Sequence, residues 1–240
     1  MAANTNKQAL LAQVQTALKK KLPAAPPAAP AAERSVLEEV LYAIVRDGAT
    51  PEAADAAWAA MKGGFHDLNE VRVSSVTEVA DAIRVVPQAG AKGERIVEFL
   101  QKVFEELYSF DLGDIAKKGV KQAAKQLARY KGGVNDFVVA WVTQRALGGH
   151  AIPLDEPTIR VLRRLGILDD DLDDLEAARA TLEHFIPKAK GPEFTDLMVQ
   201  LATSTCTADL PNCPACPLKA DCPTGQEILA KAKAKPAKGK

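Results

Sequence analysis

The chain has 240 residues, of which 47% are hydrophobic and 26% are charged. This length is enough for one large domain, or two smaller ones, around a buried core. The formal net charge is zero, which excludes a uniformly basic nucleic-acid-binding protein. The charge is nevertheless uneven, because residues 1–32 and residues 223–240 each carry a net charge of +4. A polyanionic partner would therefore have to be bound by local cationic features.

The hydropathy pattern contains no run of eighteen apolar residues and no basic start followed by an apolar core. It therefore predicts neither a transmembrane helix nor a secretion signal. We expect a cytoplasmic protein without a membrane partner.

The first predicted element is an amphipathic helix over residues 8–22, because apolar side chains recur every four residues from Leu10 to Leu22. The proline- and alanine-rich residues 23–32 cannot continue this helix, since proline lacks an N–H and clashes with the preceding turn. They should form a semi-extended spacer. The folded body is then predicted to begin near Glu33.

Helical signals dominate the body of the chain. Thr50 and Pro51 have the pattern of an N-cap followed by proline in the first turn, and Ser75 with Glu78 has the pattern of a capping box. No pair of alternating runs is joined by a hairpin turn of the Asn-Gly type, so strands have little support. The sequence predicts an all-α fold of nine or ten helices, followed by a tail after Cys222 that frays.

The four cysteines all lie within seventeen residues, at Cys206, Cys213, Cys216 and Cys222. Four clustered thiols with none elsewhere predict one tetrahedral centre. Two disulfides are disfavoured in a chain without an export signal. Four thiolates suit a structural zinc ion or a [4Fe-4S] cluster, and the ligand chemistry alone leaves both open.

The cysteine spacing of six, two and five intervening residues resembles the iron–sulfur loop of the endonuclease III family of DNA glycosylases, the HhH-GPD family. Residues 131–135, Lys-Gly-Gly-Val-Asn, resemble the family's Leu-Pro-Gly-Val-Gly hairpin. Residues 151–166 resemble the segment around the family's essential aspartate, which corresponds to Asp155. The resemblance runs over residues 36–222 in segment order. It implies a [4Fe-4S] cluster rather than zinc at the four cysteines.

The hairpin segment has its own physical rationale. Gly133 lacks a Cβ, so the backbone can turn tightly and approach a phosphate. Asn135 can cap the following helix, whose free N–H groups and dipole attract a phosphate oxygen. Taken alone, the two glycines fit an ordinary turn beside solvated lysines equally well. The predicted DNA contacts are Lys131, Gly132, Gly133, Val134, Asn135, Lys125, Arg129 and, as a candidate wedge into the duplex, Gln88.

Asp155 is the predicted catalytic residue. Breaking the bond between a base and its sugar builds positive charge on the sugar, which a nearby carboxylate stabilises while it activates the attacking water. The structural alternative is that Asp155 caps a helix beginning near Glu156. In the family the two roles coexist.

The sequence departs from the family at two functional positions. Lyases of the family carry a lysine eighteen residues before the aspartate, where this chain has Phe137. Phenylalanine cannot form a Schiff base, which predicts a monofunctional glycosylase. Ile44 stands where the family has a glutamine that fills the gap left by a flipped base. These departures leave a second hypothesis open: a DNA-binding protein that keeps the scaffold and the cluster but excises nothing.

The sequence therefore predicts a two-lobed helix-hairpin-helix DNA glycosylase that acts in base-excision repair, as a monomer on double-stranded DNA. In a bacterium it would be associated with the nucleoid. The predicted boundaries are 1–32 for a basic helix and linker, 33–222 for the glycosylase-like domain and 223–240 for a Lys/Ala-rich tail. Within that domain the helical lobe covers about 50–150, and the second lobe covers 33–49 with 151–222, including an iron–sulfur loop at 206–222.

Overall fold

The computed structural model describes residues 2–22, 34–169 and 174–234. The predicted spacer at 23–32, the predicted start of the body at Glu33 and the last six residues of the tail lie outside the described residues. The helices of the described ranges are, in chain order, α1 (Ala2–Lys21), α2 (Val36–Arg46), α3 (Pro51–Gly64), α4 (Leu68–Val73), α5 (Val76–Ala82), α6 (Ala89–Leu107), α7 (Gly113–Lys117), α8 (Val120–Leu127), α9 (Asp136–Arg145), α10 (Glu156–Arg164), α11 (Leu175–Phe185), the 3-10 helix Lys188–Lys190, α12 (Gly191–Ser204) and α13 (Pro223–Ala234). No strand occurs in these ranges, so the all-α prediction is confirmed.

The chain divides into two compact units, Pro27–Pro153 and Met1–Pro26 with Leu154–Lys240. Helix α2 forms the centre of the first unit, because nine of its eleven residues are buried and it packs against α3, α6 and α9. The predicted starts of α3 and α5 are confirmed: Thr50 caps the first, and Ser75 with Glu78 forms a capping box on the second.

The second unit is built around α12. Leu11, Val14 and Leu18 of α1 are buried and α1 packs against α12, where Lys19 forms an ion pair of 2.6 Å with Glu193. Helix α10 packs against α12 and α13. No helix of the part described by the structure is long and apolar enough to cross a membrane.

The division into units differs from the sequence-based division at both ends of the chain. We expected residues 33–49 in the second lobe, but α2 lies in the first unit because its apolar side chains pack against α3, α6 and α9. We expected residues 1–32 to be a separate segment, but α1 lies in the second unit through its contact with α12.

The prediction that the chain frays after Cys222 is wrong for residues 223–234, which form α13. Two contacts from Cys222 stabilise the start of this helix. Its carbonyl oxygen accepts a hydrogen bond from the Gln226 N–H at 2.9 Å, and its sulfur accepts one from the Gly225 N–H at 3.3 Å.

Candidate functional site

The hairpin between α8 and α9 is a tight turn. The N–H groups of Gly133 and Val134 both donate to the carbonyl of Tyr130, at 3.2 and 2.8 Å. Gly133 lies against α6, where an added Cβ would meet the Cβ of Phe99 at 2.4 Å and the carbonyl oxygen of Arg95 at 2.7 Å. Gly133 is therefore required by close packing against α6. Its φ lies outside the left-handed region.

Asn135 caps α9 as predicted. Its Oδ1 accepts a hydrogen bond from the Val138 N–H at 3.0 Å, while its Nδ2 donates to Oδ2 of Asp47 at 2.8 Å. Among the described residues, the backbone N–H groups of Gly132, Asn135 and Phe137 donate to no acceptor. N–H groups in the first turn of a helix point out of its N-terminus, so this end of α9 retains donors for an anion.

The cationic residues before the hairpin lie on α8 and in the turns on either side of it. Lys118, Lys125 and Arg129, together with two glutamines, line an open groove of about 510 Å³. Lys131 is exposed in the turn itself. This arrangement gives the hairpin a polar, positively charged flank in the same unit.

Two carboxylates also lie beside the hairpin. Asp47 accepts hydrogen bonds from Arg95 as well as from Asn135, and the Arg95 ion pair at 3.0 Å balances its charge. Glu98 of α6 rests on the turn, because a Cβ added to Gly132 would lie 1.6 Å from its Oε1. Asp47, Arg95 and Glu98 are not predictable from the sequence, since nothing in the local sequence connects them with residues 131–135.

Gln88 and Ile44, the two positions considered for contact with a duplex interior, differ in exposure. Gln88 is exposed and begins α6 in a left-handed conformation with φ 56°, without a side-chain cap bond. Its side chain therefore does not cap α6. Ile44 is fully buried, so it cannot take the place of a side chain that reaches into DNA.

Asp155 is only 2% exposed. Its Oδ1 accepts a hydrogen bond from the Thr158 N–H at 2.9 Å, which makes Asp155 the N-cap of α10. Its Oδ2 is buried without a hydrogen-bond partner in the described parts of the chain. A buried carboxylate oxygen without a partner is costly, so this oxygen can accept a bond from a group brought in from outside.

Phe137, at the position where the family's lyases have lysine, belongs to the core. It is 4% exposed, and its ring centroid lies 5.8 Å from that of Trp141. Trp141 in turn donates from Nε1 to Oε1 of the buried Glu39 at 2.7 Å. An aromatic side chain packed in this way offers no nucleophile.

The four cysteines of the second unit line one cavity of about 330 Å³ and form no disulfide within the described residues. Cys206 accepts a hydrogen bond from Nη1 of Arg164 at 3.3 Å. Burial raises the pKa of the Cys216 and Cys222 thiols, and the neighbouring thiols add to this effect. In the described ranges no group of three or more histidine, cysteine or acidic side chains is close enough to hold a single metal ion.

The structure places the predicted residues in two groups. The hairpin, Lys125, Arg129 and Gln88 lie in the unit Pro27–Pro153, while Asp155 and the four cysteines lie in the other unit.

Comparison with curated proteins gives a match to an endonuclease III homolog of Encephalitozoon cuniculi (strain GB-M1). The identity is 23% over 152 residues, which cover 61% of this chain and 63% of the relative. The match therefore spans less than two thirds of the relative's length. No model of a known protein family matches the chain.

Two solved structures match this chain over nearly its whole length. A non-covalent endonuclease III–DNA complex matches with a TM-score of 0.71 at 20% identity, covering 93% of this chain and 98% of that one. A thermostable thymine-DNA glycosylase matches with a TM-score of 0.66 at 16% identity, covering 95% of this chain and 100% of that one. At these identities the matches show the fold, and the expected endonuclease III-type glycosylase fold is confirmed.

Proposed function

We propose that this chain, which has the fold of endonuclease III-type DNA glycosylases, is a base-excision-repair enzyme that hydrolyses the N-glycosidic bond of a damaged or mismatched base. The observation that carries this proposal is the state of Asp155. One of its oxygens caps α10, and the other is buried without a partner in the described part of the chain. Helix capping alone does not account for the second oxygen.

The chemistry that Asp155 supports is hydrolysis. The bond between the sugar C1′ and the base nitrogen breaks, and the base leaves with the bonding electrons and is protonated. The Asp155 carboxylate stabilises the positive charge on the sugar and accepts a proton from the water whose oxygen bonds to C1′. Each of these roles requires an ionised carboxylate with a free oxygen.

Binding of double-stranded DNA is assigned to the hairpin. The free backbone N–H groups of Gly132, Asn135 and Phe137 supply hydrogen-bond donors to a phosphate. Positive charge beside them comes from Lys125, Arg129 and Lys131. Gly133 and Val134 contribute by shaping the turn, because their N–H groups already bind Tyr130. Gln88 is assigned to the duplex because its side chain is exposed and makes no cap bond.

The enzyme is proposed to be monofunctional, with no strand cleavage by the lysine mechanism. A lyase forms a Schiff base between an amine and the sugar, and the corresponding position is the buried ring of Phe137. A monomer that acts on DNA in the cytoplasm, in the nucleoid if the source is a bacterium, stays a prediction.

The cysteine cavity is proposed to hold a [4Fe-4S] cluster. All four thiols line one cavity, which suits either a zinc ion or a [4Fe-4S] cluster, and the resemblance of the cysteine spacing to the iron–sulfur loop of the endonuclease III family favours the cluster. Cys206, Cys213, Cys216 and Cys222 would be the ligands, and hydrogen bonds from Arg164 and Gly225 support two of the sulfurs. When bound, the cluster would cross-link the loop that joins the end of α12 to the start of α13.

The decisive experiment incubates the protein with duplexes that carry oxidised, alkylated, deaminated or mismatched bases, and then treats them with hot alkali. We expect base loss on at least one duplex and none with Asp155→Asn, which keeps the helix cap. Equal behaviour of wild type and Asp155→Asn across the panel would refute the enzyme assignment. Borohydride should trap no covalent adduct, and a brown protein with visible absorbance would distinguish iron–sulfur from zinc.

The second candidate function is a DNA-binding protein that retains the scaffold and cluster without excision. Burial of Ile44 favours it, because no side chain at this position can fill the gap left by a flipped base. Duplex binding without base loss on any member of the panel would select this alternative.

A further inference from the structure

The hairpin is held by a network of three side chains from three parts of the first unit. Asp47 follows α2, Arg95 lies in α6 and Asn135 begins α9. Oδ2 of Asp47 accepts hydrogen bonds from Nη1 of Arg95 at 3.0 Å and from Nδ2 of Asn135 at 2.8 Å. Nε of Arg95 donates to the carbonyl of Gly133 at 3.1 Å.

These bonds close a ring around the turn. Arg95 holds the turn at Gly133, and Asp47 holds it at Asn135, two residues later. The Asn135 carboxamide is used at both ends, because its Oδ1 caps α9 while its Nδ2 binds Asp47. The free backbone N–H groups of Asn135 and Phe137 therefore belong to a segment that Asp47, at the end of α2, and Arg95, in α6, hold in place by hydrogen bonds.

We propose that Asp47 and Arg95 are positioning residues for the phosphate-binding turn, acting through Asn135 and Gly133. This inference rests on the proposed function of the hairpin in DNA binding. A well-oriented set of donors binds an anion more tightly than a mobile set, since less freedom is lost on binding. The network also accounts for an asparagine in place of the glycine of the family's hairpin, because only a side chain can reach Asp47.

For removal of Asp47, electrostatics alone predicts tighter DNA binding, whereas a positioning role predicts weaker DNA binding. Asp47 is a negative charge beside a turn that binds phosphate, so its removal should tighten DNA binding if charge were its only effect. The ion pair with Arg95 offsets this repulsion, and the Asp47 and Arg95 side chains are only 18% and 21% exposed. Loss of affinity on removing an acid is therefore the signature of a positioning role.

The test measures binding of the full chain to an undamaged fluorescent duplex by anisotropy over a series of salt concentrations. We expect Asp47→Ala to weaken binding about 10-fold, the effect of losing one charge-assisted hydrogen bond. Asp47→Asn keeps an acceptor oxygen and should stay within about 3-fold of wild type. The slope of affinity against salt should not change in either variant, because no phosphate contact is removed.

Two further variants distinguish the loss of the hydrogen-bond network from the loss of a negative charge and from a general loss of folding. Glu94→Ala removes the same charge from the exposed residue next to Arg95, and we expect it to bind duplex at least as tightly as wild type. Asn135→Ala combined with Asp47→Ala should lose less affinity than the sum of the two single losses, because both substitutions break the bond between these side chains. Amide hydrogen exchange at the start of α9 should accelerate in Asp47→Ala and not in Glu94→Ala.

The outcomes distinguish the two proposals. Duplex binding by Asp47→Ala that equals or exceeds wild type would overturn the positioning role and leave the proposed function intact. Failure of the wild-type chain to bind any duplex would overturn both. Additive losses in the double variant would also refute the network, since the two side chains would then act separately.

Discussion

The two adjacent glycines of the hairpin should differ strongly in how much stability the same substitution removes. In Gly133→Ala the new Cβ would lie 2.4 Å from the Cβ of Phe99 and 2.7 Å from the carbonyl oxygen of Arg95. Neither atom can rotate away, because one is fixed to the helix backbone and the other is part of it. In Gly132→Ala the three atoms nearest to the new Cβ all belong to the carboxylate of Glu98, which ends a flexible, exposed side chain.

The size of the effect follows from these distances. Ordinary contact between carbon atoms needs roughly 3.5 Å, so in Gly133→Ala the turn must move about 1 Å away from α6. Overpacking of this kind costs about 1–3 kcal/mol, and the bond from Arg95 to the Gly133 carbonyl, worth about 1 kcal/mol, is lost with it. We expect unfolding free energy to fall by about 2–4 kcal/mol in Gly133→Ala. In Gly132→Ala we expect a change within about 1 kcal/mol.

Urea denaturation monitored by tryptophan fluorescence is the appropriate assay. Both tryptophans of the chain, Trp58 and Trp141, lie in the unit that contains the hairpin, so the signal reports that unit. Gly63→Ala is the matched control, since its Cβ in α3 meets nothing within 4 Å and should stabilise by about 0.5–1 kcal/mol. Equal losses in Gly132→Ala and Gly133→Ala would refute the packing argument.

Three further changes test other parts of the molecule. Glu98→Gln should tighten duplex binding about 2- to 5-fold at low salt and less at high salt, because an exposed charge beside the turn is removed; an anisotropy titration unaffected by the change would contradict this. Asp155→Asn should keep the unfolding free energy within about 0.5 kcal/mol, since asparagine caps a helix as well as aspartate, while base release falls to background in the alkali assay. Cys213→Ser should abolish visible absorbance and lower the melting temperature; unchanged absorbance would remove this cysteine from the ligand set.

Features determined by residues close in sequence were predictable. Asn135 and Asp155 cap their helices through the amide group three residues later, so the cap patterns alone located the starts of α9 and α10. The cysteine spacing likewise located a loop whose four thiols share one cavity. In each case the stabilising contact lies within a short segment of chain, which the sequence displays directly.

Features that depend on tertiary contacts were not predictable. The bond between Asp47 and Asn135 joins residues 88 positions apart, and no local pattern marks either residue as its partner. The tail was expected to fray on composition, but α13 forms because Cys222 holds its first turn with a carbonyl and a sulfur. The sequence predicts a glycine requirement at position 133 from the tight turn alone. The atoms that exclude a Cβ there belong to α6, and this contact is not visible in the sequence.

The environment of Asp155 bears on the choice between the two functional hypotheses. A helix cap at this position needs one acceptor, and asparagine or serine would supply it as well as aspartate. Aspartate brings a second oxygen that is buried without a partner in the described residues, at a cost of about 1–3 kcal/mol for an unsatisfied polar group. A scaffold that only bound DNA would gain nothing from that oxygen. An enzyme without an amine, such as one with Phe137 packed on Trp141, needs a carboxylate to stabilise the sugar cation and to activate water. The unpaired oxygen of Asp155 therefore favours hydrolysis over a binding role.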